Sequence, residues 1–409
     1  QCDQDPGSTS LKRLYHSVKK NQMSTGVAQQ LLSSQLYQSN FEDELNAKHP
    51  DLFPVRNGRT LNLRTGEVRL RTKEDMFSFE CPVSYQPRPS YPNATRFFRD
   101  VFLGKEEVIA FVRKLLGYCL TGRIEGRVFQ LWLGSGLNGK GTIFKILRSI
   151  LGPWLSALNR DVVVKAGRRG AGSATPELVP LMRSRLAILG ETDAGQRLHS
   201  AQLKGLVSGD PTALRSLFQD QIEFICRAKL ILQSNNDIFF DAGDQAILDR
   251  LILLPFEARF VPDEPDPEQK NEIKQDPQFV EDLQTKHVDE MFSFLVEGAR
   301  QWYEEGMKQF VLPNCLKEKR ASYLTGIDPV RQFVLDELDL EPSSNEKVLF
   351  EDVYKKYRAW MENKKPGHPC ITQQNLGRRI HKFCPAVQSY SSDSTSYLTG
   401  IRIKQRYHM

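Results

Sequence analysis

The segment Gly134-Ser-Gly-Leu-Asn-Gly-Lys-Gly-Thr142 constrains this chain more than any other. An apolar run, Val128-Phe-Gln-Leu-Trp-Leu133, leads into it, and a helix-patterned segment, Ile143-Phe-Lys-Ile-Leu-Arg-Ser-Ile-Leu151, leads out. Strand, glycine-rich loop and helix in this order make a phosphate cradle. Gly134, Gly136 and Gly139 let backbone N–H groups turn inward, the helix N-terminus adds partial positive charge, and Lys140 brings a full charge to the β- and γ-phosphates of a nucleotide. The pattern GxxxxGKS/T is complete except at its last position, where Gly141 replaces the hydroxyl residue that holds Mg²⁺. Thr142 is the nearest substitute. A glycine-rich surface turn with a solvated lysine is the competing reading, which the flanking strand and helix disfavour.

Three later stretches fit a domain built on such a cradle. Leu186-Ala-Ile-Leu-Gly-Glu191 reads as a buried parallel strand that delivers an acid to the tip of a neighbouring strand, where Glu191 would hold Mg²⁺ and orient the attacking water, with Asp193 assisting through water. A buried strand that merely ends in a surface acid explains the same letters. Lys229-Leu-Ile-Leu-Gln-Ser-Asn-Asn236 ends in amides able to sense a γ-phosphate, Asn235 first and Asn236 second, against the alternative of a plain polar turn. In Ala246-Ile-Leu-Asp-Arg-Leu-Ile-Leu-Leu-Pro-Phe256 a single Arg250 interrupts an apolar stretch and calls for an anionic partner. That partner is either a neighbouring subunit's γ-phosphate, with Arg250 as an arginine finger, or a buried carboxylate.

Composition sets the bounds. With 409 residues, 40% hydrophobic and 26% charged, the chain buries ordinary cores and should form about two to four domains. No run approaches the ~18 to 20 apolar residues of a membrane helix, and the N-terminus lacks a signal-peptide pattern. An intracellular protein without a membrane partner is expected. The seven cysteines are scattered and never spaced CxxC, which argues against disulfides and zinc. His368 and Cys370 lie close together but lack two partner ligands. A net charge of +6 does not by itself imply a polyanionic partner. The first residue is Gln1, so the sequence can begin inside a longer polypeptide.

Along the chain, residues 1–125 read as an N-terminal α+β region. Its first 55 or so residues have short helical patterns (Leu11–Val18, Val27–Leu36) that read as packing or linker, followed by small hairpins over Arg56–Leu70, a Pro-rich break at Cys81–Pro92 and a helix over Val108–Leu120. The P-loop domain is expected over 126–262 and a helical linker or subdomain over 263–328, in which Val288–Tyr303 packs. A helical, winged-helix-like C-terminal domain is expected over 329–409, with helices at Val330–Leu340, Phe350–Met361 and Gln373–Phe383 and a hairpin strand at Tyr397–Lys404. The fold class is α/β.

The ordered set GSGLNGKGT, Glu191-Thr-Asp193, Gln202-Leu-Lys-Gly-Leu-Val-Ser-Gly-Asp210, the strand ending in Asn235, and Asp249-Arg-Leu-Ile-Leu-Leu-Pro-Phe256 resembles superfamily 3 helicases, most closely their poxvirus and phage primase-helicase branch. Asn57–Gly66 and Leu116–Gly122 resemble that branch's domain before the helicase, and 330–404 its C-terminal region, so the resemblance covers roughly residues 50 to 400. It implies an AAA+ core in which Gly134, Gly136, Asn138, Gly139, Lys140, Gly141 and Thr142 bind ATP, Thr142 and Glu191 serve Mg²⁺, Asn235 is the sensor, and Arg250 acts in trans within a homo-hexamer. Lys204 matches a basic residue of the intermediate motif. Asp249 stands where a second arginine is common.

For nucleic acid, the resemblance implies a pore hairpin, matched by Thr212–Cys226 with Arg215 and Phe218 as contacts; cross-strand packing is the bland reading. The basic loop Lys165–Ser173, with Arg168 and Arg169, and the helix carrying Arg378, Arg379 and Lys382 are further candidates, each against the reading of an ordinary solvated face. The expected function is an ATP-dependent ring helicase on single-stranded and forked DNA, with an upstream primase domain or other replication proteins as partners, serving a virus, phage or mobile element. A weakly hydrolysing, ATP-binding replication initiator is the alternative from another class. A P-loop small-molecule kinase is disfavoured by Arg250, the sensor pattern and the flanking domains.

Overall fold

The structure is a computed structural model of the chain and describes residues 44–163, 175–190, 198–215, 221–235, 238, 245–340, 346–364, 370–392 and 395–404. The chain divides into two units. In the smaller, residues 44–49 and 72–78 are described; its two segments are joined by Asn46, whose side chain donates to Ser78 Oγ (2.8 Å) and accepts from Ser78 N (2.9 Å). The larger comprises 50–71 and everything from 79 onward.

The larger unit opens with an antiparallel meander, β1 (Leu52–Val55), β2 (Arg59–Asn62) and β3 (Val68–Leu70). Asn57 and Gly58 supply the positive φ angles of its first turn, 65° and 61°. After the Pro-rich stretch, α1 (Pro92–Val101) starts on a proline whose missing N–H costs nothing there. The buried Glu290 carboxylate accepts from the N–H groups of Asn93 (2.7 Å) and Ala94 (3.1 Å) at the helix start. Helix α2 (Glu106–Leu120) follows.

Five apolar runs form one parallel sheet: β4 (Phe129–Leu133), β5 (Leu155–Leu158), β6 (Leu186–Leu189), β9 (Lys229–Ser234) and β10 (Leu251–Pro255). Their order is β10-β4-β9-β6-β5. The central strands are buried on both faces, as parallel strands must be. Helix α3 (Lys140–Leu151) buries Ile143, Ile146, Leu147, Ile150 and Leu151, one stripe at helical spacing. One expectation needs correction: β6, the strand that leads to Glu191, is not the neighbour of β4, because β9 pairs between them.

Between β6 and β9 lie α4 (Ser200–Ser208) and an antiparallel hairpin, β7 (Pro211–Arg215) with β8 (Gln221–Ile225), paired from Pro211↔Ile225 to Arg215↔Gln221. The stretch 246–256 is not a single apolar run in space. It is split into α5 (Gln245–Arg250) and β10, so that Arg250 closes a short helix just before the strand.

Within 263–328, expected as a helical linker or subdomain, one helix packs on the N-terminal region and another on the parallel sheet. After β11 (Arg259–Val261), β12 (Glu272–Lys274) and α6 (Pro277–Gln284), α7 (Val288–Glu304) lies along α2. Their contact is backbone on backbone: a Cβ on Gly298 would sit 2.1 Å from Arg113 O, and one on Gly117 2.3 Å from Ala299 N. Helix α8 (Asn314–Ile327) then runs beside β10.

The C-terminal part has its own core, including Phe333, Tyr357, Leu376, Ile380 and Leu398. The first expected helix stops early: α9 covers Pro329–Glu337 and Leu338–Leu340 is strand β13. Strand β14 (Val348–Leu349), α10 (Phe350–Lys364) and α11 (Gln373–Phe383) follow. The tail is also more divided than its alternation suggests: β15 (Gln388–Ser392) pairs with β16 (Thr395–Thr399), and Gly400 separates β17 (Ile401–Ile403), which pairs with β13.

Candidate nucleotide site and nucleic-acid interface

The glycine-rich loop is pinned from both sides of β4. Gly134 N donates to Ser234 O at the end of β9 (3.2 Å), Phe256 N to Leu133 O (2.7 Å), and Phe260 N to Leu137 O (2.7 Å). Two glycines are dictated by space and backbone. A Cβ at Gly134 would lie 2.4 Å from Asn138 Nδ2 and 2.6 Å from Phe256 O, and Gly139 starts α3 at φ +88° with Val101 Cγ2 2.8 Å from its Cβ position.

Lys140 is only 5% exposed. Its ammonium donates to Gly134 O, to Ser234 O (3.3 Å) and to Asn235 Oδ1 (3.0 Å), so it sits where the carboxyl ends of β4 and β9 meet. Asn138 is buried; its Oδ1 faces Lys140 N at 3.5 Å, and among the described residues its Nδ2 has no hydrogen-bond partner. A buried donor without a described partner, beside the buried Lys140 ammonium at the start of α3, suits an anionic ligand that supplies acceptors. At Gly141, exposed in the first turn of α3, a Cβ would meet nothing within 4 Å among the described residues, so their packing does not exclude a hydroxyl residue there. Thr142 beside it is partly buried. Glu191, Asp193 and Asn236 lie outside the described residues, as do Arg168, Arg169 and Phe218. Among the described residues no cluster of three or more His, Cys, Asp or Glu could hold a metal ion.

Arg250 is partly buried, and among the described residues its partners are neutral. Nε and Nη2 donate to Ser208 Oγ (3.2 and 3.0 Å) and Nη1 to Ala246 O (2.7 Å), so the carboxylate partner of the buried-pair reading is not found there. The parallel register pairs Leu251 with Phe129 and Pro255 with Leu133, which puts Arg250 at the edge of the sheet opposite the cradle. Sequence reasoning missed a second guanidinium at this edge. Arg320 of α8 donates to Leu251 O (3.2 Å), and burial lowers its pKa while nearby Asp249 opposes the shift. No local pattern marks Arg320; only the packing of α8 on β10 brings it there.

For nucleic acid, Arg215 is the last residue of β7. Lys204 is partly buried on α4. On α11, Arg378 and Lys382 are exposed one helical turn apart, but Arg379 is not part of that face. Its Nη2 lies 2.7 Å from Asp328 Oδ1, and Asp328, 2% exposed, also accepts from Val330 N and Arg331 N at the start of α9. Arg379 thus neutralises a buried capping carboxylate, which gives it a structural partner.

Residues 5–103 match the family described as D5 N terminal like. The match starts well before residue 50, where the motif resemblance begins, so the N-terminal residues read as packing or linker belong to a recognisable region. The chain is 24% identical over 348 residues to "Putative helicase 121R" of Invertebrate iridescent virus 3, covering 80% of this chain and 36% of that protein. It is 22% identical over 408 residues to "Putative helicase L207/L206" of Acanthamoeba polyphaga mimivirus (97% and 42%), and 26% identical over 374 residues to "Putative primase C962R" of African swine fever virus (88% and 38%). The chain therefore spans about two fifths of the length of these relatives. Against the NrS-1 C-terminal region the TM-score is 0.46 at 11% identity, over 87% of this chain and 83% of that one. The D5-type match and the viral relatives together support the primase-helicase family for this chain.

Proposed function

We propose that this chain carries the ATP-hydrolysing motor of a ring-forming, superfamily 3 DNA helicase with an AAA+ core, working in viral, phage or mobile-element DNA replication. One observation carries the reading. Arg250 lies at the sheet edge opposite Lys140, across the five residues of β10, a span of about 17 Å at ~3.3 Å per residue. A guanidinium so placed cannot serve its own subunit's nucleotide and suits a γ-phosphate bound by a neighbour. Within one subunit, the cradle N–H groups and Lys140 would bind the phosphates of ATP, Asn235 would sense the γ-phosphate, and Glu191 would orient water. Mg²⁺ would accompany the nucleotide, with Thr142 offering the hydroxyl nearest the position that Gly141 leaves empty. Helicase and primase names among the relatives support the replication setting, and an upstream primase domain remains part of the proposal.

The test is subunit mixing. Arg250→Ala should bind ATP nearly as wild type does, hydrolyse it poorly, and poison wild-type rings. Activity that falls only in proportion to dilution, together with a lowered melting temperature for the mutant, would refute the trans reading. Gly141 favours a second reading, a replication initiator that binds ATP to assemble on DNA and turns it over weakly. Steady-state hydrolysis with and without single-stranded DNA separates the two, since the motor requires stimulation by the strand.

A further inference from the structure

Arg250 is held by the last residue of the helix that leads into the hairpin. Ser208 ends α4, and only Gly209 and Asp210 separate it from Pro211, the first residue of β7. That connection is tight. Gly209 turns at φ +74°, its Cβ position lies 2.3 Å from Ile124 Cδ1, Asp210 N donates to Gly205 O (3.1 Å), and Thr212 Oγ1 donates to Asp210 O (3.1 Å). A displacement of the hairpin is therefore transmitted to Ser208 with little slack. Among the described residues, the Ser208 hydroxyl receives two of the three hydrogen bonds that orient the Arg250 guanidinium.

We propose that Ser208 is a positioning residue that aims Arg250 and couples that aim to the β7–β8 hairpin, so that a strand gripped by the hairpin of one subunit changes hydrolysis in the next. This rests on the reading of Arg250 as a finger acting in trans. Arg250 would do the electrostatic work at the neighbour's γ-phosphate, while Ser208 would touch neither nucleotide nor nucleic acid. The serine hydroxyl accepts from Nε and Nη2 together, and a threonine keeps that acceptor; an alanine removes it and leaves Ala246 O as the guanidinium's acceptor among the described residues.

The experiment compares wild type, Ser208→Ala, Ser208→Thr, Arg250→Ala and the double variant Ser208→Ala/Arg250→Ala as full chains. It measures affinity for a fluorescent ATP analogue, hydrolysis with and without an oligodeoxythymidine strand, and melting temperature. The expected result has four parts. Ser208→Ala binds the analogue within about twofold of wild type, its strand-stimulated turnover falls about tenfold with stimulation nearly lost, Ser208→Thr restores both, and the double variant is no worse than Arg250→Ala alone. If Arg250→Ala loses turnover but Ser208→Ala keeps full strand stimulation, the Ser208 proposal is wrong while the finger reading stands. If Arg250→Ala hydrolyses normally, both fall. If Ser208→Ala melts early and loses analogue binding and turnover in parallel, and the double variant is additively worse, Ser208 is only structural and the proposal is overturned.

Discussion

The Lys140 ammonium lies 3.0 Å from the side-chain oxygen of Asn235, a residue 95 positions away in sequence. The cradle lysine at the end of β4 and the amide at the end of β9 thus form one polar group before any nucleotide arrives.

Because the two contribute different chemistry, their removal should separate. Lys140→Ala loses the charge that meets the phosphates and should weaken nucleotide binding about tenfold or more while abolishing turnover. Asn235→Ala should keep affinity within about twofold and lower kcat by about a hundredfold, the usual effect of losing one preorganised polar contact. Analogue binding combined with single-turnover hydrolysis checks this. Equal affinity losses would mean that Asn235 merely holds the lysine.

The open space at Gly141 makes it a site for gain of function. Gly141→Ser should be tolerated, with about 0.5 kcal/mol of helix stabilisation from propensity, and should lower the Mg²⁺ concentration needed for half-maximal hydrolysis. Thr142→Ala should raise that concentration more than Ser135→Ala does. A Mg²⁺ titration of the variants decides it, and parity between the last two would remove Thr142 from the metal assignment.

Where α2 and α7 cross, the Cβ of an alanine at Gly298 or Gly117 would strike backbone atoms, which cannot rotate away. Gly298→Ala should therefore cost about 3 kcal/mol, visible as a lower denaturant midpoint. Gly205→Ala, in open space on α4, is the control and should be neutral or stabilising by about 0.5–1 kcal/mol.

Lys229 predicts a pH dependence of stability. Burial, its largest influence, lowers its pKa to about 7 from 10.5, with Arg185 adding to the shift. Between those values the unfolded chain keeps a proton that the native state has released, so stability rises with pH from about 7 upward; below about 7 both states are charged and the contribution is constant. The slope is at most ~1.4 kcal/mol per pH unit. Above about pH 9 it meets an opposing one, because burial raises the Cys119 and Cys226 thiols to about 11 from 9.0. Urea midpoints between pH 6.5 and 8.5 should therefore rise for wild type and stay nearly flat for Lys229→Met, whatever the variant's baseline; a wild type flat over this window would contradict the buried-lysine account.

The sequence by itself determined the elements nearest the chemistry. The cradle, its two flanking elements, the strand to Asn235, the hairpin and the three C-terminal helices all carry local signals: glycines, apolar runs of strand length, and stripes at helical spacing. Local signals end where contacts are formed by strangers in sequence. Nothing in Leu186–Leu189 reveals that β9 inserts between it and β4, because strand order is set by crossover connections and not by strand composition. Nothing in the basic run of α11 separates Arg378 from Arg379; the difference is Asp328, buried at the start of another helix, whose charge must be answered. The apolar letters around Arg250 conceal a change from helix to strand, and only the parallel register puts that arginine at the far edge of the sheet, beside the serine that closes α4. Val288–Tyr303 reads as a packing helix within a linker or subdomain, but what it packs on is not legible because its partner surface, α2, lies some 180 residues earlier in sequence; the two glycines that permit the close crossing become legible only when both helices are present.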